Sequence, residues 1–276
     1  MATCYRHPAR ETGVACSNCD RPICPDCMTS TPVGMRCPEC SKERTRVHTI
    51  SSIAGGHAPV VTQAIIAICV VLFVAGGDFG TTSAAGDSWV YREGFLSGYL
   101  VNDGELWRLV TGGFLHSGLI HIGFNMILLW FLGSEIEGKL GSPRFGLVYA
   151  TALLGGSFGA IVQTQGPTVG ASGAVFGLMG YMVVEMRRQG LNPFQSQIGF
   201  LILINVVLSF RDGVSWGGHF GGLVFGALAA VVLHEAGRRG PRWAGPAALG
   251  AMCVAAVIGA VVVSEPFPGF VQEFPG

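Results

Sequence analysis

The chain has 276 residues, of which 50% are hydrophobic and only 12% are charged. Soluble domains carry about 25% charged residues, so this composition excludes an ordinary soluble protein and indicates a polytopic membrane protein. Its 17 basic and 17 acidic residues give zero formal net charge, which argues against nucleic acid as a partner.

The first 40 residues predict a small zinc-binding module. They contain four pairs of metal-ligand residues, and in each pair two residues separate the ligands. Paired ligands at this spacing hold tetrahedral structural zinc, so eight ligands predict two zinc ions. Disulfide bonds are the alternative, but the module is predicted to face the reducing cytoplasm, which disfavours them. The eight predicted ligands are Cys4, His7, Cys16, Cys19, Cys24, Cys27, Cys37 and Cys40.

The order of the four pairs leaves the ligand pairing open. An interleaved arrangement, which resembles B-box-type zinc fingers, places pairs one and three on one ion and pairs two and four on the other. A sequential arrangement places neighbouring pairs together. The module has no basic helix for a DNA groove, so we expect a cytosolic protein partner and no nucleic acid. Residues 41–59, basic and then rich in Ser and Gly, predict a linker.

Seven apolar windows follow, and each predicts a membrane-spanning helix. Such helices need about 17 to 25 apolar residues, so the first window is borderline and the fifth is short. The predicted spans are residues 60–76, 112–132, 145–162, 169–186, 197–210, 214–233 and 244–263.

The basic residues predict the orientation of these spans. Seven of the 17 lie in residues 1–59, and seven more lie in the loops that seven spans place on the same side. The positive-inside rule therefore puts the N-terminus in the cytoplasm and the C-terminal tail outside, with the chain in the cell membrane. Only Arg92, Arg108 and Arg211 fall on the outer side.

Four polar side chains from three predicted spans fall at a similar depth near the outer face. Ser172, His219, His121 and Asn125 share this layer, and ionisable groups inside a span mark a function and a facing partner. A lone serine would instead bond its own helix backbone, and a buried His or Asn often links helices. The joint depth of the four residues favours a site.

Small residues explain how the serine and the histidine could meet. Gly170, Gly173, Gly177 and Gly180 recur on one span, and another carries Gly218, Gly222 and Gly226. Glycines at this spacing let two backbones approach closely in lipid. Ser172 and His219 could then reach the roughly 2.6–3.2 Å that a nucleophile and its base require. A purely structural crossing explains the glycines equally well, but it does not explain the histidine.

The remaining site residues follow from helix geometry. His121 and Asn125, four residues apart, share one face and could hold an oxyanion together with the Ser172 backbone amide. Phe176 lies one turn below Ser172, and we expect its ring to pack against His219, although an ordinary core aromatic would explain this position equally well. Glu185 lies too far along the helix to orient His219, and Asp212 lies in an outer loop. The sequence therefore predicts a Ser–His dyad.

Three segments, "ELWRLVTGGFLHSGLIHIGFNM", "GASGAVFGLMG" and "GGHFGGLVFG", resemble the signature blocks of rhomboid intramembrane serine proteases. The resemblance covers about residues 60–235 and implies an all-α, rhomboid-like core of six helices there, with a seventh helix and a short tail in residues 236–276. It implies that Ser172 is the nucleophile, that His219 is the base, and that His121 and Asn125 line the oxyanion site. Trp107 and Arg108 match a supporting Trp-Arg pair, Glu137 and Gly141 match structural residues, and Gly218 stands where many members have alanine.

This resemblance implies a serine-type endopeptidase that cleaves single-pass membrane proteins near the outer face and needs no cofactor for catalysis. Membrane lipid would surround it, and residues 77–111, rich in aromatics, would pack beside the helices at the interface. The alternatives are an inactive rhomboid-like protein that binds and routes membrane clients, and a transporter. A transporter would more often show internal repeats, and none is visible.

Overall fold

The structure, a computed structural model, describes residues 2–31, 34–42, 58–77, 88–211 and 213–266. The chain divides into two compact units, Met1–Ile53 and Ala54–Gly276. Most of the linker predicted over residues 41–59 lies outside the described residues, as do Asp212 and residues 267–276. The domain boundaries proposed from sequence stay predictions.

The described residues of the first unit form two pairs of short strands, a 3₁₀ turn (Pro25–Cys27) and one short helix. Strand β1 (Ala2–Thr3) pairs antiparallel with β2 (Glu11–Thr12), and β3 (Thr29–Thr31) pairs antiparallel with β4 (Gly34–Arg36). Helix α1 (Pro38–Lys42) follows. The buried core of this first unit contains six cysteines and a single aliphatic side chain, Ile23. So small an apolar core contributes little hydrophobic stabilisation to a unit of this size.

The described residues of the second unit are mainly helical, and one helix corresponds to each of the seven predicted spans. Helices α6, α7, α10 and α11 are each long and apolar enough to cross a membrane, whereas the other three are shorter. The observed bounds are α2 (Val60–Gly76), α6 (Leu119–Leu140), α7 (Ser142–Gln163), α8 (Ser172–Arg188), α9 (Gln197–Leu208), α10 (Trp216–Arg239) and α11 (Ala244–Val263). The predicted fold class, an all-α polytopic membrane protein with six core helices and a seventh, is confirmed.

Two predicted starts were wrong because glycine ends the regular backbone before each helix. The second span was predicted from residue 112, but a 3₁₀ turn (Gly112–Phe114) precedes the helix, and Gly118 has φ +86°. The fourth was predicted from residue 169, but Gly170 has φ +132°, which only glycine adopts readily. Gly170 therefore belongs to the loop before α8, and not to the glycine face of that helix.

Helices α7, α8 and α10 touch backbone to backbone at the centre of the unit. A Cβ placed on Gly222 of α10 would lie 1.8 Å from the carbonyl oxygen of Gly173 on α8. A Cβ on Gly226 would lie 1.9 Å from the carbonyl oxygen of Gly177. On its other side α10 meets α7, where a Cβ on Gly221 would lie 2.4 Å from the Gly155 oxygen. The glycine crossing predicted between α8 and α10 is present, and a second seam with α7 was not foreseen.

The segment before α6 folds into three short helices, α3 (Trp89–Gly94), α4 (Gly98–Asn102) and α5 (Arg108–Thr111). Arg108 is only 3% exposed, and its guanidinium donates to the carbonyls of Arg92 and Phe95 at 2.9 and 3.0 Å. Trp107 is half exposed and donates its indole N–H to the Glu93 carbonyl at 3.2 Å. Arg108 therefore holds the turns of this segment together.

Glu137 fastens α2 to α6. Its carboxylate is fully buried and accepts the backbone N–H groups of Val61 and Thr62 at 2.9 and 2.8 Å. The hydroxyls of Thr62 and Ser142 donate to it as well, at 2.8 and 2.6 Å. The first turn of α2 thus receives its cap from another helix, which fits a structural role for this residue.

Candidate functional site

Ser172 and His219 meet where α8 and α10 cross. Ser172 is the first residue of α8, and His219 lies one turn into α10. The hydroxyl of Ser172 and Nε2 of His219 are 2.8 Å apart, a hydrogen-bond distance. The Ser172 side chain is short, so this contact depends on the close approach of Gly173 and Gly222 immediately beside it. The geometry is that of a nucleophile and its base.

Two further groups fix the imidazole of His219. The ring of Phe176 stacks on it, with centroids 4.2 Å apart and planes 13° from parallel. On the other side of the ring, Nδ1 lies 2.6 Å from the hydroxyl of Ser209, which follows the end of α9. Glu185, far along α8, bonds Gln189 instead. Sequence reasoning missed Ser209, because a serine near the end of an apolar helix normally bonds its own backbone.

His121 lies beside Ser172, and its Nε2 faces the site. Its Nε2 packs against Gly170, where an added Cβ would lie 2.8 Å from Nε2 and 3.5 Å from the Ser172 hydroxyl. The backbone N–H of Ser117 donates to Nδ1 of His121 at 3.4 Å, so Nδ1 acts as an acceptor. A neutral ring then carries its proton on Nε2 and can donate it into the site.

Asn125 lies one turn further along α6, but its amide is engaged within its own helix. Its Nδ2 donates to the His121 carbonyl at 2.9 Å. A second histidine, His116, was not selected from the sequence. It is fully buried, its Nε2 accepts the backbone N–H of Ala171 at 3.3 Å, and its ring lies 5.1 Å from that of His121. His116 thereby holds the residue that precedes Ser172.

One cavity of about 950 Å³ contains the Ser172–His219 contact, and neither His116 nor Ser209 is part of its lining. Its walls include apolar side chains such as Phe124 and Leu208, and polar groups converge at one place within it. Apolar walls with a few convergent polar groups are typical of a binding site. The predicted site residues that line it are Ser172, His219, His121, Asn125 and Phe176, whereas Trp107 and Arg108 are not part of its lining.

The first unit gathers its eight predicted ligands into two clusters. One contains Cys4, His7, Cys24 and Cys27, and the other contains Cys16, Cys19, Cys37 and Cys40. Within each cluster all ligand atoms lie within 4.8 Å of one another. The clusters follow the interleaved order, pairs one and three against pairs two and four, and not the sequential one.

The spacing of the ligand atoms fits a tetrahedral ion. Sulfurs bound about 2.3 Å from a zinc ion lie about 3.8 Å apart, because the tetrahedral angle fixes the distance between them. The sulfurs of Cys19 and Cys37 are 3.8 Å apart. In the other cluster, Nδ1 of His7 lies 3.4 Å from the Cys24 sulfur and 3.3 Å from the Cys27 sulfur. Each cluster can therefore hold one metal ion.

The thiols of the first cluster also favour a cation. Burial opposes ionisation of Cys4, but backbone N–H groups, that of Cys24 foremost, outweigh it and lower the Cys4 pKa to about 6. Burial and the neighbouring thiols raise the Cys27 pKa to about 11. Several thiolates cannot share this space without a positive ion to compensate their charge.

The chain is similar in sequence to several known proteins, and the family match lies in the helical unit. A family model described as the Rhomboid domain matches residues 103–236. The chain is 33% identical over 211 residues to rhomboid protease GluP of Bacillus subtilis, covering 73% of this chain and 40% of that protein. It is 36% identical over 149 residues to RHOMBOID-like protein 5 of Arabidopsis thaliana, covering 51% of this chain and 48% of that protein.

A further similarity is to rhomboid protease GlpG of Salmonella typhi, at 32% identity over 185 residues, which covers 64% of each chain. The chain thus spans less than two thirds of the length of these curated relatives.

Proposed function

Because the chain belongs to the rhomboid family, we propose that it is an intramembrane serine endopeptidase that cleaves single-pass membrane proteins near the outer face of the bilayer. The observation that carries the proposal is the 2.8 Å contact between the Ser172 hydroxyl and Nε2 of His219 inside a cavity lined by convergent polar groups. In this proposal Ser172 is the nucleophile and His219 the general base.

The reaction would run by acyl transfer. Nε2 of His219 takes the proton of Ser172 as its oxygen attacks the scissile carbonyl carbon, and the carbonyl oxygen becomes an oxyanion. The Nε2–H of His121 and the backbone N–H of Ser172 would donate to that oxyanion. The amide of Asn125 would join them after turning away from the His121 carbonyl. His219 then protonates the leaving amine, and water from the cavity hydrolyses the acyl-enzyme.

The other predicted residues support this chemistry from a distance. Phe176 would keep the imidazole plane fixed, while Trp107 and Arg108 would hold the segment before α6. The substrate enters from the lipid as a helix, and its outer end must unwind to expose a backbone carbonyl to Ser172. By the distribution of basic residues, the N-terminal unit lies in the cytoplasm and the site lies towards the outer face.

For the first unit we propose that each cluster holds one structural zinc ion, since four sulfur and nitrogen ligands in a closed set are typical of zinc. The ions would supply the stability that its single buried aliphatic residue cannot. The partner of this unit would be a cytosolic protein.

Cleavage of a model single-pass membrane protein by the purified chain tests the proposal. We expect Ser172→Ala and His219→Ala to abolish cleavage, whereas Ser134→Ala should cleave like the unmodified protein. Ser134 is the matched control because its buried hydroxyl has no hydrogen-bond partner among the described residues. Equal cleavage by Ser172→Ala would exclude the nucleophile, and no cleavage of any of several substrates would favour an inactive client-binding protein.

A further inference from the structure

Ser209 lies where the third residue of a catalytic triad would orient the base. It lies immediately after α9, it is 1% exposed, and its hydroxyl is 2.6 Å from Nδ1 of His219. The other ring nitrogen of His219 bonds Ser172. The three side chains therefore form one continuous chain of hydrogen bonds, Ser172 to His219 to Ser209.

The direction of the bond between Ser209 and His219 follows from a second contact. The Ser209 hydroxyl donates to the backbone carbonyl of Asn205 at 2.7 Å. A carbonyl can only accept, and a hydroxyl has a single proton to give. The Ser209 oxygen must then act as the acceptor towards His219, so Nδ1 carries the ring proton.

This direction sets the state of the base. With the proton on Nδ1, the Nε2 of neutral His219 has a free lone pair, and it points at the Ser172 hydroxyl. The opposite tautomer would put a hydrogen on Nε2 and could not accept the proton of Ser172. In serine proteases with a triad, a buried aspartate selects the tautomer in this way. Among the described residues, no carboxylate hydrogen-bonds His219.

Resting on the proposed function, we propose that Ser209 is a positioning residue: its hydroxyl, polarised by the Asn205 carbonyl, holds His219 in the tautomer that can act as a base. The site is then a Ser–His–Ser chain and not an isolated dyad. A neutral hydroxyl supplies the orientation without placing a charge in the membrane, where an unpaired carboxylate would be costly.

Proton movements along this chain balance. As the Ser172 oxygen bonds the scissile carbon, its proton passes to Nε2 of His219, and the imidazolium keeps its Nδ1–H bonded to Ser209. Ser209 keeps its own proton throughout, and its hydroxyl continues to donate to the Asn205 carbonyl. When the scissile C–N bond breaks, the Nε2 proton moves to the leaving amine, which restores neutral His219 with the same tautomer.

Threonine and valine at position 209 provide a matched pair, because they have the same shape and differ in the hydroxyl. The readout is the rate at which an alkyl fluorophosphonate modifies Ser172 of the full chain in detergent, which needs an activated serine but no docked substrate. We expect Ser209→Val to slow modification about tenfold, the scale of one buried hydrogen bond, and Ser209→Thr to restore the rate to within about twofold of the unmodified protein.

A second readout reports the tautomer itself. In ¹⁵N NMR spectra of labelled histidine, His219 should carry its proton on Nδ1 in the unmodified protein and in Ser209→Thr, and should shift towards Nε2–H in Ser209→Val. A purely structural role of Ser209 would change thermal stability without changing this ratio.

Equal modification rates for Ser209→Thr and Ser209→Val would overturn the inference. If the added methyl group prevents folding of both, Ser209→Ala, which adds no atoms, decides: a rate like that of the unmodified protein overturns the inference, and a tenfold loss supports it. Ser172→Ala separates the two proposals. If the probe labels it at the normal rate, the proposed function fails, whatever the position 209 variants do.

Discussion

Ser172 can contribute two groups to the proposed reaction because it is the first residue of α8. The first N–H groups of a helix have no acceptor within the helix. The backbone N–H of Ser172 is one of them, and its hydroxyl bonds His219. The oxyanion would therefore form beside a donor that belongs to the nucleophile itself, and the positive end of the helix dipole would favour the developing charge.

Phe176 fixes the plane of the imidazole, and replacing its ring tests that role. We expect Phe176→Leu to lower kcat about two- to tenfold with little change in KM, because stacked rings contribute about 0.5–1.5 kcal/mol beyond their buried area. Phe176→Tyr keeps the stacked ring and should keep most of the activity. Cleavage kinetics with one model substrate distinguish the two variants, and a KM increase with constant kcat would contradict this role.

The sequence predicted those site residues that belong to a periodic pattern within one helix, and it missed those that do not. The glycine spacing indicated the close crossing of α8 and α10, and helix periodicity put His121 and Asn125 on one face. Ser209 and His116 had no such signal, since their partners, His219 and Ala171, lie 10 and 55 residues away in the chain. Contacts of that kind depend on how loops place whole helices, and no period in the sequence encodes them.

At the scale of the helices, the crossing of α8 and α10 is the element on which the site depends. Association of helices in lipid depends on van der Waals packing and lacks the hydrophobic driving force available in water, so backbone contact at glycine matters more than side-chain burial. Gly222 faces the Gly173 carbonyl, next to the Ser172–His219 contact. An added methyl group there must push the two helices apart.

We expect Gly222→Ala to abolish cleavage and to lower the thermal unfolding temperature in detergent, because its Cβ would lie 1.8 Å from a carbonyl oxygen that cannot move alone. Gly237→Ala, in the same helix α10, meets no atom within 4 Å and should preserve both activity and stability. Alanine stabilises a helix by about 1 kcal/mol relative to glycine, so the control could even unfold later. A Gly222→Ala variant as active as the control would contradict the close crossing.

The segment before α6 allows a second prediction at this scale. Arg108→Lys should lower the thermal unfolding temperature more than Trp107→Ala, because a lysine cannot reproduce the guanidinium's contacts with two carbonyls and the Glu105 carboxylate, the last at 2.5 Å. Trp107 makes one hydrogen bond and is half exposed. Thermal unfolding in one detergent provides the comparison, and an unchanged temperature for both variants would show that this segment does not support the helices.

The seven predicted spans correspond to the seven helices because apolar length is a strong signal, but bounds were misplaced at both ends, since α6 continues to Leu140 and α10 to Arg239. Glycines with positive φ displaced the starts of α6 and α8, and an apolar glycine does not interrupt a hydropathy window. The short helices α3, α4 and α5 were expected only as an interfacial segment, since turns of four to six residues have no clear period.

At the scale of the whole molecule, a helical membrane unit is joined to a unit whose core is made almost entirely of ligand residues. If each cluster holds an ion as we propose, the two units draw stability from different sources, helix packing in one and metal coordination in the other. Removal of metal should unfold the first unit without dissociating the helices of the second.

Metal analysis of the full chain in detergent should return two zinc ions per chain, as two closed ligand sets require. Cys16→Ser should reduce this to no more than one. Cys253→Ser is the control, because Cys253 belongs to α11 and its sulfur contacts Thr151, so zinc content should stay at two. Retention of both ions by Cys16→Ser would contradict the ligand set.

The alternation of ligand pairs has a topological consequence for the N-terminal unit. Any single break of the backbone between His7 and Cys37 separates ligands that share an ion, whereas a sequential order would have left two intact halves around a break after Cys19. The unit cannot be shortened to half its length, and one protease cut within it would compromise at least one coordination sphere. Both proposed metal sites therefore need the whole segment from Cys4 to Cys40.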